Sequence, residues 1–320
     1  MAQQPYFADE TVTLHHGDAL EVLRGLSDAS VDSCVTSPPY FGLRDYGQPG
    51  QYGLEATPAA YVEVLRLVFS EVRRILTDDG TLWLNIGDSY AAPPRGPDGS
   101  SSGLTNGAQI RMAGRPTTFD RPRKNLLGLP WRVAFALQDD GWILRNAIIW
   151  HKPNAMPESV TDRLSNRYEH VFLFSKSRQY WFDLDPIREP SREREPRPLG
   201  GRNLTPRHIA TTDNVGWKDH AVSNHPAGKN PGDVWTISTQ PFSEAHFAVM
   251  PAELAERCAV AGCPPGGVVL DPFSGSGTTG LAAQKHGRRY VGIDLNREYL
   301  DLSLRTRLRQ AALDFNGGAA

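Results

Sequence analysis

The chain has 320 residues, a formal net charge of −2 and an ordinary balance of apolar and charged residues, enough for one large α/β domain or two small ones. No apolar run approaches the roughly 18 residues of a membrane span, and MAQQPYFADE has neither the basic nor the apolar region of a secretion signal. Three cysteines, Cys34, Cys258 and Cys263, form no CxxC and no disulfide framework, so a reducing cytoplasm is the expected compartment.

In chain order, VTLHHGDA (12–19) reads as a strand and LEVLRGLS (20–27) as a helix. VDSCV (31–35) is a short apolar strand that runs into TSPPY (36–40). Tyr61, Val64, Leu65, Val68, Val72 and Ile75 recur at helical spacing, which predicts a helix over 58–76 stopped by the DDG that follows. TLWLNIGD (81–88) is a buried strand in pattern. A helix is expected around 130–138, then strands at WILRNAIIW (142–150) and YEHVFLFSK (168–176). AELAERCAVAG, GVVLDPF, TTGLAAQKHG and RYVGIDL then alternate as helix, strand, helix, strand, and a last helix covers about 296–313.

Strands and helices alternate at both ends of the chain, which predicts an α/β fold: a Rossmann-like, doubly wound, mostly parallel sheet. Two irregular stretches interrupt it. From Arg95 to Arg132 seven basic residues face two acidic ones, and from 186 to 230 eight face five. Such segments in an acidic body are either a phosphate-facing side or solvated loops.

Two motifs carry chemistry. In TSPPY, neither proline can donate to a ladder and both fix φ, so the chain leaves the sheet through a rigid turn. The turn is either a plain strand stop or a positioned tool. VVLDPFSGSGTTGLAA has the order strand, glycine turn, helix. Gly275 and Gly277 allow close backbone approach to a ligand, and the helix from Thr278 offers free N–H groups. Asp294 ends the next strand about twenty residues on, where an acid can reach a ribose. Asp271, just before the loop, would repel a pyrophosphate and suits a hydroxyl-bearing or cationic ligand better, so this is not a dinucleotide fingerprint.

DPFSGSGTTG together with TSPPY resembles the S-adenosylmethionine-dependent amino-methyltransferases of DNA, which modify N4 of cytosine or N6 of adenine. The catalytic tetrapeptide precedes the cofactor loop, as in the β-class motif order, and GDAL, LNIGDSY, NAIIWHKPN, YEHVFLFSK and HFAVMPAEL are similar to the family's intervening motifs. The resemblance covers nearly the whole chain apart from the two irregular segments, and it implies a catalytic half over 1–90, a basic flexible loop over 91–125, the rest of the catalytic half over 126–185, a target-recognition region over 186–235 and an S-adenosylmethionine-binding half over 236–320. It implies that Ser37, Pro38, Pro39 and Tyr40 form the catalytic turn. It implies that Asp271, Phe273, Ser274, Gly275 and Gly277 line the cofactor pocket, that Thr278 and Thr279 open the following helix there, and that Asp294 holds the ribose hydroxyls. Asp18 would sit near the adenine amino group, and His246 and Pro251 would flank the methionine moiety.

The exocyclic amine of a base is a poor nucleophile, because its lone pair is delocalised into the ring. Ser37 Oγ and the Pro38 carbonyl can accept its hydrogens and favour a pyramidal nitrogen, with little reorganisation of so rigid a turn. Tyr40 offers a flat face to a base flipped out of the duplex. Arg111, Arg115, Arg121, Arg123, Lys124, Arg202 and Arg207 are the expected duplex-DNA contacts in the basic segments. His151 and Lys152, after Trp150, either touch DNA or cap a strand. Cys34 is read as a core cysteine, and Trp181 and Trp235 as packing. No histidine or cysteine spacing suggests a metal. Ser37 at the first tetrapeptide position favours N4 of cytosine. The alternatives are N6 of adenine, a methyltransferase for RNA, protein or a small molecule, and a binding module with a decayed site. The enzyme would act as a monomer or homodimer, in restriction–modification or epigenetic marking, with or without a cognate restriction nuclease.

Overall fold

The structure, a computed structural model, describes residues 4–91, 121–191, 225–240 and 249–309. Its first elements are β1 (Phe7–Ala8), β2 (Val12–His16), α1 (Ala19–Gly25), β3 (Val31–Thr36), α2 (Pro58–Ile75) and β4 (Leu76–Ile86). Then come α3 (Leu129–Asp139), β5 (Ile143–His151), β6 (Tyr168–Ser175), a short 3-10 turn (Asp185–Ile187) and β7 (Val234–Thr236). The chain continues with α4 (Ala252–Gly262), β8 (Val268–Asp271), α5 (Thr278–Lys285), β9 (Arg289–Asp294) and α6 (Arg297–Ser303), which passes into a π-helical turn at Leu304–Leu308.

The nine strands form one sheet in the order β1-β2-β9-β8-β3-β4-β6-β5-β7. Its centre, β2-β9-β8-β3-β4, is parallel. β6 runs antiparallel to both of its neighbours, β4 and β5. Helices cover both faces, so the central strands are apolar almost throughout, as doubly buried strands must be. Alternation sends Cys34, Leu82, Leu84 and Phe172 into the layer of α1, α2 and α3. Val35, Trp83, Val171 and Leu173 point the other way, into the layer of α4 and α6. Cys34 is thus the core cysteine its apolar strand predicts, and Trp235 packs on Trp83 with ring centroids 6.2 Å apart.

The long helix α2 begins where its sequence says. Thr57 caps it by accepting from the Ala60 N–H, and Pro58 occupies the first turn, where its missing N–H costs nothing. The helix ends at Ile75, within one residue of the expected 76, before the DDG is reached; Leu76 turns extended and β4 starts at once. The register jumps from Val31–Leu76 to Ser33–Thr81, so Thr77–Gly80 is an excursion within the strand. None of the described helices is long and apolar enough to cross a membrane.

This topology places the site. From β3 the chain crosses through α2 to β4 on one side, and from β8 through α5 to β9 on the other. The connections diverge between β3 and β8, and at such a switch point the helices leave a crevice beyond the carboxyl ends of the strands. Thr36 ends β3 and Asp271 ends β8.

Candidate active site

Two motifs more than two hundred residues apart in sequence meet in that crevice. Thr36 Oγ1 donates to Asp271 Oδ1 at 2.6 Å. Asp271 also accepts from Thr279 Oγ1 at 2.8 Å and from the Phe273 N–H at 3.0 Å. Burial raises its carboxyl to about 6, against these three hydrogen bonds, which pull it down. Beside it opens a cavity of about 290 Å³. Ser37, Pro38, Pro39 and Tyr40 form one wall, and Asp271, Phe273, Ser274, Gly275, Thr278, Thr279 and Asp294 another.

The two loop glycines have different jobs. Gly275 takes φ +52°, and a Cβ there would meet nothing nearer than the Phe273 carbonyl at 3.9 Å. It leaves open wall in the cavity. Gly277 takes φ +77°, does not line the cavity, and a Cβ there would stand 2.8 Å from Ser303 Cβ. Its hydrogen lets the loop close onto α6 from behind, which corrects its expected place in the pocket wall. The Gly275 and Asn296 N–H groups donate to Asp294 at 2.7 and 2.8 Å, and burial raises that carboxyl too to about 6. The Thr278 hydroxyl accepts from Arg307 of the π-helical turn. The Ser274 hydroxyl accepts from Tyr290 at 2.8 Å.

Asp18 is a second correction. Its Oδ1 caps α1 by accepting from the Glu21 N–H at 3.0 Å, and its Oδ2 accepts from Tyr52 at 2.9 Å. Asp18 itself does not line the cavity; Tyr52 does, edge-on to Phe273 with ring centroids 5.3 Å apart. Pro251 likewise precedes α4, and its neighbours Val249 and Met250 reach the cavity instead. Tyr46, Arg44 and Tyr299 also line it and carry no sequence signal of that role.

At the catalytic turn the Pro39 carbonyl accepts from Tyr61 at 2.9 Å. No donor among the described residues takes the Pro38 carbonyl. Ser37 Oγ donates to the Tyr40 hydroxyl at 3.3 Å. Tyr40 in turn donates to Glu169 Oε2 at 2.6 Å, and Asn85 Nδ2 donates to the same oxygen at 3.0 Å. Burial and the Glu169 charge push the Tyr40 phenol well above its usual range. The Tyr40 ring lies against Gly87, where a Cβ would come within 2.6 Å of Cε2.

Lys152 is a third correction. Its ammonium is ion-paired with Glu169 and sits 4.4 Å from the Trp150 ring centroid, inside the cavity wall. It is a pocket residue, with its charge already committed. Asn85 and Glu169 were not singled out in the sequence, although both lie in the LNIGDSY and YEHVFLFSK stretches.

Of the expected DNA contacts, Arg121, Arg123 and Lys124 are exposed, and Lys124 pairs with Asp162. Arg111, Arg115, Arg202 and Arg207, together with His246 of the cofactor set, lie outside the described residues.

The pocket chemistry fits S-adenosylmethionine. Asp294 and Asp271 at the strand ends suit hydroxyls and a cation, Phe273 and Tyr52 give aromatic surface, and Gly275 leaves wall that a side chain would fill. A doubly wound sheet with this loop facing an S-P-P-Y turn defines an S-adenosylmethionine-dependent methyltransferase.

Known proteins narrow the class. The N6/N4 DNA methylase family matches residues 31–305. The chain is 45% identical over 296 residues to the type II methyltransferase M.Cfr9I of Citrobacter freundii, covering 91% of this chain and 86% of that one. It is 44% identical over 298 residues to M.SmaI of Serratia marcescens, covering 92% and 90%. Among solved structures, the PvuII cytosine-N4-specific DNA methyltransferase superposes with a TM-score of 0.64 at 19% identity, over 98% of this chain and 94% of that one, a likeness of fold. A putative DNA modification methylase of Thermus thermophilus, solved with S-adenosyl-L-methionine, gives a TM-score of 0.55 at 28% identity over 95% and 96%. The chain belongs to the N6/N4 DNA methylase family and is an S-adenosylmethionine-dependent DNA amino-methyltransferase.

Proposed function

We propose that the target is the N4 amine of cytosine in duplex DNA, flipped from the helix into the cavity beside Tyr40. One observation carries this reading. The first residue of the tetrapeptide is a neutral serine whose proton points to Tyr40, so its lone pairs are free to accept. Ser37 Oγ and the unused Pro38 carbonyl are two acceptors for the two hydrogens of one amine. Pro39, tied through its carbonyl to Tyr61, holds the turn so that neither acceptor has to reorganise. Bound S-adenosylmethionine supplies an electrophilic methyl on a sulfonium that leaves as a neutral thioether.

The chain's own residues then have three tasks. Asp294, Phe273 and Gly275 orient the cofactor. Ser37 and Pro38 free the nitrogen lone pair. Tyr40 offers its ring to the base while its hydroxyl is tethered. Holding both reactants in line is the main source of acceleration. Target recognition falls to the segments 91–125 and 186–235, whose arginines neutralise phosphates and make affinity salt-sensitive. The relatives are type II methyltransferases, so a cognate restriction nuclease is the natural companion.

The test is hydrolysis of duplex DNA modified by the enzyme and mass spectrometry of its nucleosides. N4-methylcytosine is expected. N6-methyladenine alone would overturn the assignment.

A further inference from the structure

Methyl transfer to a neutral amine leaves its nitrogen with one proton too many, and the structure holds a path for that proton. Ser37 Oγ donates to the Tyr40 hydroxyl at 3.3 Å, and Tyr40 donates to Glu169 Oε2 at 2.6 Å. Tyr40 has one proton and two acceptors nearby. Asn85 Oδ1 lies at 3.3 Å, so the shorter contact assigns the proton to Glu169. Both hydroxyl hydrogens of this path therefore point along it, toward the carboxylate.

We infer that Glu169 is a positioning residue and the final proton acceptor of a Ser37–Tyr40–Glu169 relay. Before transfer, the carboxylate fixes the Tyr40 proton. That makes the phenol oxygen the acceptor for Ser37, and turns Ser37 from a hydroxyl of either polarity into an acceptor for the target amine. During transfer, a nitrogen N–H bond breaks and its electron pair stays on nitrogen. The proton passes to Ser37 Oγ, the former Ser37 proton passes to the Tyr40 oxygen, and the former Tyr40 proton passes to the Glu169 carboxylate. Atoms and charge balance: one proton leaves the methylated amine, one carboxylate becomes a carboxylic acid, and solvent receives the proton after product leaves.

The surroundings suit this task. Tyr40, Glu169, Asn85 and Lys152 all line the cavity. Asn85 Nδ2 donates to Glu169 Oε2 at 3.0 Å and to the His170 carbonyl at 3.2 Å, so the amide holds the carboxylate at one angle. Lys152 pairs with the other oxygen, Oε1, and its ammonium sits over the Trp150 ring. Such charge-assisted contacts fix geometry as well as energy. Thus β4, β6 and the residue just after β5 converge on this carboxylate.

The inference rests on the amino-methyltransferase activity and not on the choice of base, since both amines shed a proton. It is tested by single-turnover transfer of tritium from S-adenosylmethionine to unmethylated genomic DNA, enzyme in excess over sites. Glu169→Gln keeps size and one acceptor but cannot take a proton. Tyr40→Phe keeps the ring and breaks the relay. Each is expected to slow transfer about 100-fold, within the usual range for positioned proton transfer. Cofactor affinity should stay within about twofold, and the double variant should be no slower than the slower single one, because both break one chain. The solvent deuterium isotope effect on transfer should fall in both variants, because neither can carry a proton along the chain.

A Glu169→Gln enzyme with the wild-type rate and isotope effect would overturn the relay, as would losses that multiply in the double variant. Should Glu169→Gln fail to fold because Lys152 loses its partner, Lys152→Met/Glu169→Gln removes both charges and must show the same loss. Detection of N6-methyladenine in the product would refute the cytosine assignment and leave the relay supported.

Discussion

Replacing Gly87 by alanine probes the catalytic turn from behind. The added Cβ would stand 2.6 Å from Tyr40 Cε2, 3.0 Å from Cδ2 and 3.4 Å from Cζ. Carbon atoms pack at roughly 3.5–4.0 Å, so the ring must retreat by about 1 Å. Its hydroxyl is held at 2.6 Å by Glu169, so the ring pivots about that end. The Ser37 contact, already 3.3 Å, then passes out of hydrogen-bond range. Overpacking of this kind costs about 1–3 kcal/mol of stability. A displacement of about 1 Å at a reacting group costs about 100-fold in rate. The expected Gly87→Ala protein melts a few degrees lower, binds cofactor normally and transfers methyl groups about 100-fold more slowly in single turnover. Wild-type rate with unchanged melting would refute the role given to the Tyr40 ring and its tether.

Three further outcomes follow from the site. Gly277→Ala forces a side chain into left-handed backbone, worth about 1–2 kcal/mol, and drives a Cβ to 2.8 Å from Ser303; thermal melting should fall and cofactor affinity weaken, and wild-type values for both would contradict the loop's closure onto α6. Asp271, 4% exposed, titrates near 6 in the folded protein against an ordinary 3.8, so the folded state binds the extra proton between about pH 4 and 6 and this group's contribution to stability falls as pH rises through that window; relative to Asp271→Asn, the wild type should gain up to about 3 kcal/mol in urea unfolding between pH 7 and pH 4, and a pH-independent difference would refute the buried charge. Arg123→Ala, if Arg123 meets a phosphate, should lower the slope of log affinity against log salt by about 0.9 without changing which sites are methylated; an unchanged slope would place Arg123 off the DNA.

The fold was legible because its signals are local. Pro58 and the spaced apolar face of α2, the apolar runs of β3 and β8, and the glycines before α5 each state their conformation within a few residues. The pairing of the two motifs was legible through their order, and the Thr36–Asp271 hydrogen bond is its physical form. Asp18 misled because its neighbours in GDAL suggested a ligand, although Asp18 followed by Glu21 also has the spacing of a helix cap. The end of α2 was legible to within one residue but not its cause, since pairing of Leu76 with Val31, and not the DDG, starts β4 there. Glu169, Asn85 and the true place of Lys152 were not legible, since they reach Tyr40 only through the antiparallel β4-β6-β5 pairing. The available hint was an acid and a histidine opening the otherwise apolar β6, where an unpaired charge would be costly.

The proposed function turns on Ser37 and the Pro38 carbonyl presenting an amine of cytosine to the cofactor cavity. The decisive comparison is between hosts expressing the wild type and Ser37→Ala, each genome sequenced with detection of modified bases. The wild type should leave N4-methylcytosine at one recurrent sequence, and Ser37→Ala should leave almost none while the purified variant still binds S-adenosylmethionine. N6-methyladenine at the recurrent sequence, or equal modification by both proteins, would contradict it.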